Sequence, residues 1–106
     1  MAAEGVWDLS VSTPIGTIEA VVEFARRDGV LTGTALGAGE RVALRDLRLE
    51  GGLLTWKQAV TRPLRLDLAF TVTLDGSTLT GTSRAGRLPA SKVTGRRRAV
   101  PAAASH

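Results

Sequence analysis

Residues 64–73 read Leu64-Arg65-Leu66-Asp67-Leu68-Ala69-Phe70-Thr71-Val72-Thr73, setting Leu64, Leu66, Leu68, Phe70 and Val72 against Arg65, Asp67, Ala69, Thr71 and Thr73. Successive side chains of a strand point to opposite faces, whereas a helical stripe recurs every three or four residues. This stretch is therefore a strand with one buried face, and it carries the longest period-2 run in the chain. Pro63 precedes it and Asp75-Gly76 follows it, both turn chemistry. The same alternation recurs upstream, with Trp7, Leu9 and Val11 against Asp8, Ser10 and Ser12. Ile18, Ala20, Val22 and Phe24 alternate in turn with Thr17, Glu19, Val21 and Glu23. Asp28-Gly29, Gly51-Gly52 and Asp75-Gly76 supply the positive φ that tight hairpins need. Eight strands follow, over 5–12, 17–26, 30–36, 41–49, 53–60, 64–73, 77–83 and 91–98. In the fourth, Val42 and Leu44 fall out of phase with Leu47 and Leu49, which places a bulge near Arg45 and Asp46. No segment carries a helical stripe, so the chain reads as all-β.

Length and composition set the frame. At 106 residues there is room for one domain, over 1–98, with 99–106 read as a disordered C-terminal tail rich in Ala. Hydrophobic residues are 43% and charged residues 23%, a balance that argues against disordered, collagen-like and membrane-spanning classes. The chain has no Cys, which removes disulfides, thiolate catalysis and Cys-based zinc sites. Its one His is the terminal His106, which removes His-based triads and multi-His metal sites. Met1-Ala2-Ala3-Glu4 lacks the basic and then apolar stretch of a secretory signal, so a cytoplasmic location is expected, with no membrane partner and no cofactor. The formal charge is +4, but Arg84, Arg87, Lys92, Arg96, Arg97 and Arg98 face no acid after residue 83. Such asymmetry reads either as a solvated basic end or as a field for an anionic partner.

The chain also repeats itself. Trp7 with Thr13-Pro14 returns as Trp56 with Thr61-Arg62-Pro63, and Leu31-Thr32-Gly33-Thr34 returns as Leu79-Thr80-Gly81-Thr82. Each half then forms a four-stranded meander, and two halves closing on each other make an up-and-down β-barrel without exposed edges. An open sandwich is the competing architecture. Gly5-Val6-Trp7, followed by Asp28-Gly29-Val30-Leu31-Thr32-Gly33-Thr34, resembles the opening of avidin and streptavidin and the Gly-x-Trp signature of the lipocalin and fatty-acid-binding group. Their shared superfamily is the calycins. The resemblance implies an eight-stranded antiparallel barrel in which a last-strand Arg or Lys lies across the first-strand Trp and closes one end. Arg97, in phase with Val93 and Gly95, matches that position, with Arg96 or Arg98 if the register slips. A guanidinium over an indole is favourable by about 0.5 to 2 kcal/mol. Leu9 stands where the biotin binders place a polar acceptor and Ala35 where they place a Tyr, so the resemblance extends to the scaffold and not to biotin.

In an up-and-down meander the connections alternate between two ends. The short turns at 26–29, 50–52 and 74–76 join the Trp7 plug at a closed end, and the connections 13–16, 37–40, 61–63 and 84–90 form a mouth. Arg41, Arg62, Arg84 and Arg87 stand around that mouth against Glu40, a positive rim that draws an anionic head group. On the inward phase Gln58, Ser83 and Ser91 are the polar residues apart from the plug, all toward the mouth, above apolar residues such as Trp56 and Leu66. Gln58 reads as a ligand-orienting amide or as one satisfied by its neighbours. Ser83 and Ser91 read as ligand contacts or as strand-end caps, and Trp56 as a pocket wall or as core. Gly33 and Gly81 mark barrel bends or openings.

These features define a barrel that binds a small apolar, amphipathic or anionic molecule through its mouth. One alternative is a cofactor-independent cyclase or isomerase that folds a polyketide- or polyene-like substrate by confinement. The other is a structural or interaction protein with a filled barrel. No carboxylate falls on the inward face, so paired acid and base catalysis has no carrier and no catalytic residue is assigned. Nucleic acid is disfavoured because all four aromatics, Trp7, Phe24, Trp56 and Phe70, lie on inward phases. Outward Val21, Ala43, Leu53, Ala59 and Ala69 leave room for a homodimer contact.

Overall fold

In the computed structural model, residues 3–13, 16–37, 39–60, 66–86 and 88–98 are described. The tail 99–106 lies outside them. The strands are β1 (Gly5–Thr13), β2 (Gly16–Arg27), β3 (Val30–Gly37), β4 (Glu40–Ala43), β5 (Arg45–Glu50), β6 (Leu53–Val60), β7 (Leu66–Asp75), β8 (Thr78–Ala85) and β9 (Ser91–Arg97). The alternation of the deciding stretch persists in β7, where Phe70, Val72 and Leu74 are buried between exposed Asp67, Ala69, Thr71 and Thr73. Asp28 and Gly29 both take positive φ, 52° and 81°, and so do Gly51 and Gly52, 57° and 86°. Two successive positive values belong to the type I′ turn, whose twist matches that of the strands it joins.

The protein is an antiparallel up-and-down, nearly closed β-barrel, with nine strands among the described residues rather than eight. The extra strand comes from the fourth, which breaks at Leu44. The hydrogen-bonded order is β4-β3-β2-β1-β9-β8-β7-β6-β5, so the sheet begins and ends on two halves of one chain segment. The first half pairs with β3, and the Leu44 N–H extends that ladder to the Gly33 carbonyl at 2.9 Å. The second half pairs with β6, after the expected bulge. Arg45 stands opposite Lys57 and Arg48 opposite Thr55, three steps on β5 against two on β6, and Asp46 is the added residue at φ 52°. A strand that changes partner must bend, and a bulge supplies the bend at the cost of interrupting the ladder. That interruption is the physical reason for nine.

The core is a column of Trp7, Leu9, Val22, Phe24, Ala35, Leu54, Trp56, Phe70, Val72, Leu74, Leu79 and Val93. Two details differ from the inward phase read in the sequence. Ile18 is 46% exposed, in the exposed first residues of β2. Leu74, placed in a turn, is buried because β7 runs on to Asp75. Gly81 is a close approach and not an opening. A Cβ there would fall onto the Thr71 carbonyl oxygen and within 2.6 Å of the Val72 Cα, so the barrel wall turns where only a hydrogen fits.

Candidate functional site

At one end of the barrel, Trp7 is fully buried and its indole N–H donates to the Ala3 carbonyl at 3.0 Å. Arg97 stands opposite Trp7 in the β1–β9 register, and its guanidinium carbon lies 4.8 Å from the ring centroid. The Arg98 backbone N–H continues this ladder to the Val6 carbonyl at 2.7 Å. The Arg98 side chain grips Asp8 with Nε and Nη2 at 3.0 and 2.9 Å, which holds the Asp8 carboxyl below its usual range and raises the guanidinium. Glu4 is likewise lowered, first by a hydrogen bond from its own backbone amide and then by Arg26 at 3.2 Å. Short turns and ion pairs thus gather around the plugged end.

Toward the other end the interior changes character. β6 and β7 bring Trp56 opposite Phe70, and their rings stack with centroids 4.7 Å apart and planes 7° apart. Phe24 meets Trp56 edge-on at 5.5 Å. These three buried rings pack against one another in the core. Period 2 carries β6 from Trp56 to Gln58, one step further from the Trp7 end, where the Trp56 indole N–H donates to the Gln58 Oε1 at 2.9 Å. Ser83 lies opposite both Phe70 and Ser91 in the two ladders that flank β8. Gln58 and Ser83 are buried at 7% and 4% exposure, and Ser91 is half-buried. Three polar side chains thus occur next to an aromatic floor, and among the described residues Gln58 makes no further side-chain hydrogen bond. No group of His, Cys, Asp and Glu suited to a metal occurs among the described residues.

The rest of the proposed rim is differently placed. Arg84 faces outward on β8, opposite Ala69 of β7, and lines a depression on the outer wall with Arg45, Lys57 and Leu68. Arg41 is exposed on the outer face of β4. Arg62 and Arg87 lie outside the described residues, as does the Leu66 side chain. Of the four rim arginines, the two among the described residues, Arg41 and Arg84, thus lie on the outer wall. Arg45 and Lys57 were missed as site candidates because their pairing depends on the bulge, which sets them face to face. A second shallow depression, lined by Asp8, Ser10, Glu19, Val21 and Leu36, also lies on the outer wall.

No protein-family model matches the chain. No curated protein matches it either. Among solved structures it is similar to a redesigned β-barrel, with a TM-score of 0.67 and 17% identity over 91% of each chain. At that identity the likeness shows the fold alone.

Proposed function

We propose that the protein is a small-molecule-binding barrel whose ligand is a small amphipathic or anionic apolar metabolite. The ligand rests on the Trp56–Phe70 pair and is oriented by Gln58, Ser83 and Ser91. The observation that carries this reading is the Trp56–Gln58 hydrogen bond at 2.9 Å. A barrel that needed only filling would be lined with apolar groups at this depth, since a buried amide or hydroxyl is costly unless it is bonded. Here the carboxamide oxygen accepts from the indole N–H, and in this reading its NH₂ is the donor offered to a ligand carbonyl or carboxylate. Closure of the opposite end by Trp7 and Arg97, the arrangement of the calycins, supports entry from the Gln58 side. Arg62 and Arg87, in the connections at that side, add positive charge in this reading.

A second reading, a structural or interaction protein with a filled barrel, is favoured by the Phe24–Trp56–Phe70 cluster itself. The two are separated with 1-anilinonaphthalene-8-sulfonate, an apolar anion, followed by tryptophan fluorescence, thermal midpoint and mass spectrometry. Binding predicts saturable quenching, a raised midpoint and unchanged probe mass. Replacing Gln58 by Leu then weakens affinity about tenfold, the loss of one good hydrogen bond. Absence of saturable quenching on the folded protein overturns the proposal in favour of the filled barrel. Chemical conversion of a polyene substrate analogue in a parallel incubation supports confinement catalysis instead.

A further inference from the structure

The outer wall of β5–β8 carries a second arrangement, distinct from the interior. The register sets Arg45 opposite Lys57, Lys57 opposite Ala69, and Ala69 opposite Arg84. Four adjacent strands therefore present three cations in one row, with a single methyl group between the second and third. Neighbouring strands are about 4.8 Å apart, and like charges facing one another at that spacing repel. The small Ala69 between long side chains leaves a solvent-open depression of about 340 Å³, also lined by Asp67, Leu68 and Gly86. Two acids temper the field. Asp46 approaches Lys57 at 3.9 Å and Asp67 shares the outer face of β7, so three cations meet two carboxylates.

We infer that this depression binds a phosphate monoester. The guanidinium forks of Arg45 and Arg84 present paired N–H donors to phosphate oxygens, and Lys57 adds a compact charge between them. A dianion with three acceptor oxygens meets the whole row at once, whereas a monocarboxylate satisfies one member. Bound phosphate also screens the Arg45–Lys57 repulsion, so part of its affinity comes from relief of a cost already built into the sheet. Asp67 opposes the ligand and limits its affinity. The phosphate monoester is borne either by a soluble metabolite or by a lipid headgroup.

Phenyl phosphate titrated into the ¹⁵N-labelled protein tests the site, with sodium chloride at matched ionic strength as reference. Saturable amide shifts are expected at Lys57, Ala69, Arg84 and Gly86. Lys57→Gln and Arg84→Gln, both at exposed positions, should each raise the apparent Kd about tenfold, the loss of one charge-assisted hydrogen bond. Asp67→Asn should lower it severalfold, and Ala69→Glu should abolish binding by filling and recharging the depression. The amide spectrum itself reports whether each variant is folded. Chloride reproducing the shifts, or Lys57→Gln and Arg84→Gln titrating as the parent, overturns the inference, as does Asp67→Asn binding more weakly. Co-sedimentation with phosphatidylcholine vesicles with and without phosphatidic acid distinguishes the sources. Vesicle binding that requires phosphatidic acid marks a lipid headgroup, and phenyl phosphate binding without it marks a soluble ester. Neither binding overturns the site.

Discussion

A buried glutamine bonded to a buried tryptophan is the pair on which the proposed binding site rests, and it shows how much a single residue can carry. Gln58 was visible in the sequence as a polar residue on an inward phase. Whether its amide was spent could not be read there, because Trp56 is two residues away and only the strand pleat brings the indole N–H to Oε1 at 2.9 Å. Removing the amide leaves the indole donor buried and unsatisfied. Gln58→Leu should therefore cost about 1 to 3 kcal/mol of stability in a denaturant titration. Adding Trp56→Phe should restore part of it by deleting the donor. Gly81 makes the complementary case. A Cβ there would strike the backbone of β7, which cannot rotate away as a side chain can. Gly81→Ala should cost about 3 kcal/mol, at the upper end of overpacking penalties, and should lower the urea midpoint with an unchanged slope.

At the scale of the element, the segment 40–50 decides whether the sheet closes. Phase conflict between Val42 and Leu44 on one side and Leu47 and Leu49 on the other was enough to locate a bulge, because a period of two cannot absorb an odd insertion. Its consequence was not legible. A strand that shifts from β3 to β6 has its hydrogen bonds assigned by partners far away in the chain, which is why one expected strand became two. The same shift placed Arg45 opposite Lys57. Asp46 holds the left-handed conformation at the bulge, φ 52°, which Asp tolerates and a β-branched residue does not. Asp46→Val should destabilise by about 1 to 2 kcal/mol. Asp46→Gly should stay within about 1 kcal/mol of the parent, since relief of strain offsets the entropy glycine adds to the unfolded chain. Thermal melts of the two variants, measured side by side, check the order.

For the whole molecule, charge and closure act together. Asp8 and Glu4 tie the plugged end to Arg98 and Arg26, and both carboxyls are held below their ordinary values near about 4. A depressed folded pKa means that the unfolded chain binds the proton more readily. The resulting stability is present above the unfolded value and is lost as pH falls through the lower folded one. The thermal midpoint should thus decline as pH is lowered from about 5 to about 2, and it should decline less in Arg98→Ala, which has already lost the Asp8 pair. Because these pairs are half exposed, high salt should shrink the difference. What the sequence by itself determined was local: alternation gave the strands, Gly-containing dipeptides gave the hairpins, and the phase break gave the bulge. Each is set by residues within a few positions of one another, through the pleat of the backbone and the φ that a turn demands. Only the tertiary structure decided that one strand divides between two partners, that Phe24, Trp56 and Phe70 meet ring against ring, and that Arg84 faces the outer wall. Those outcomes depend on register and on cross-barrel distance, which arise only once strands distant in sequence lie side by side.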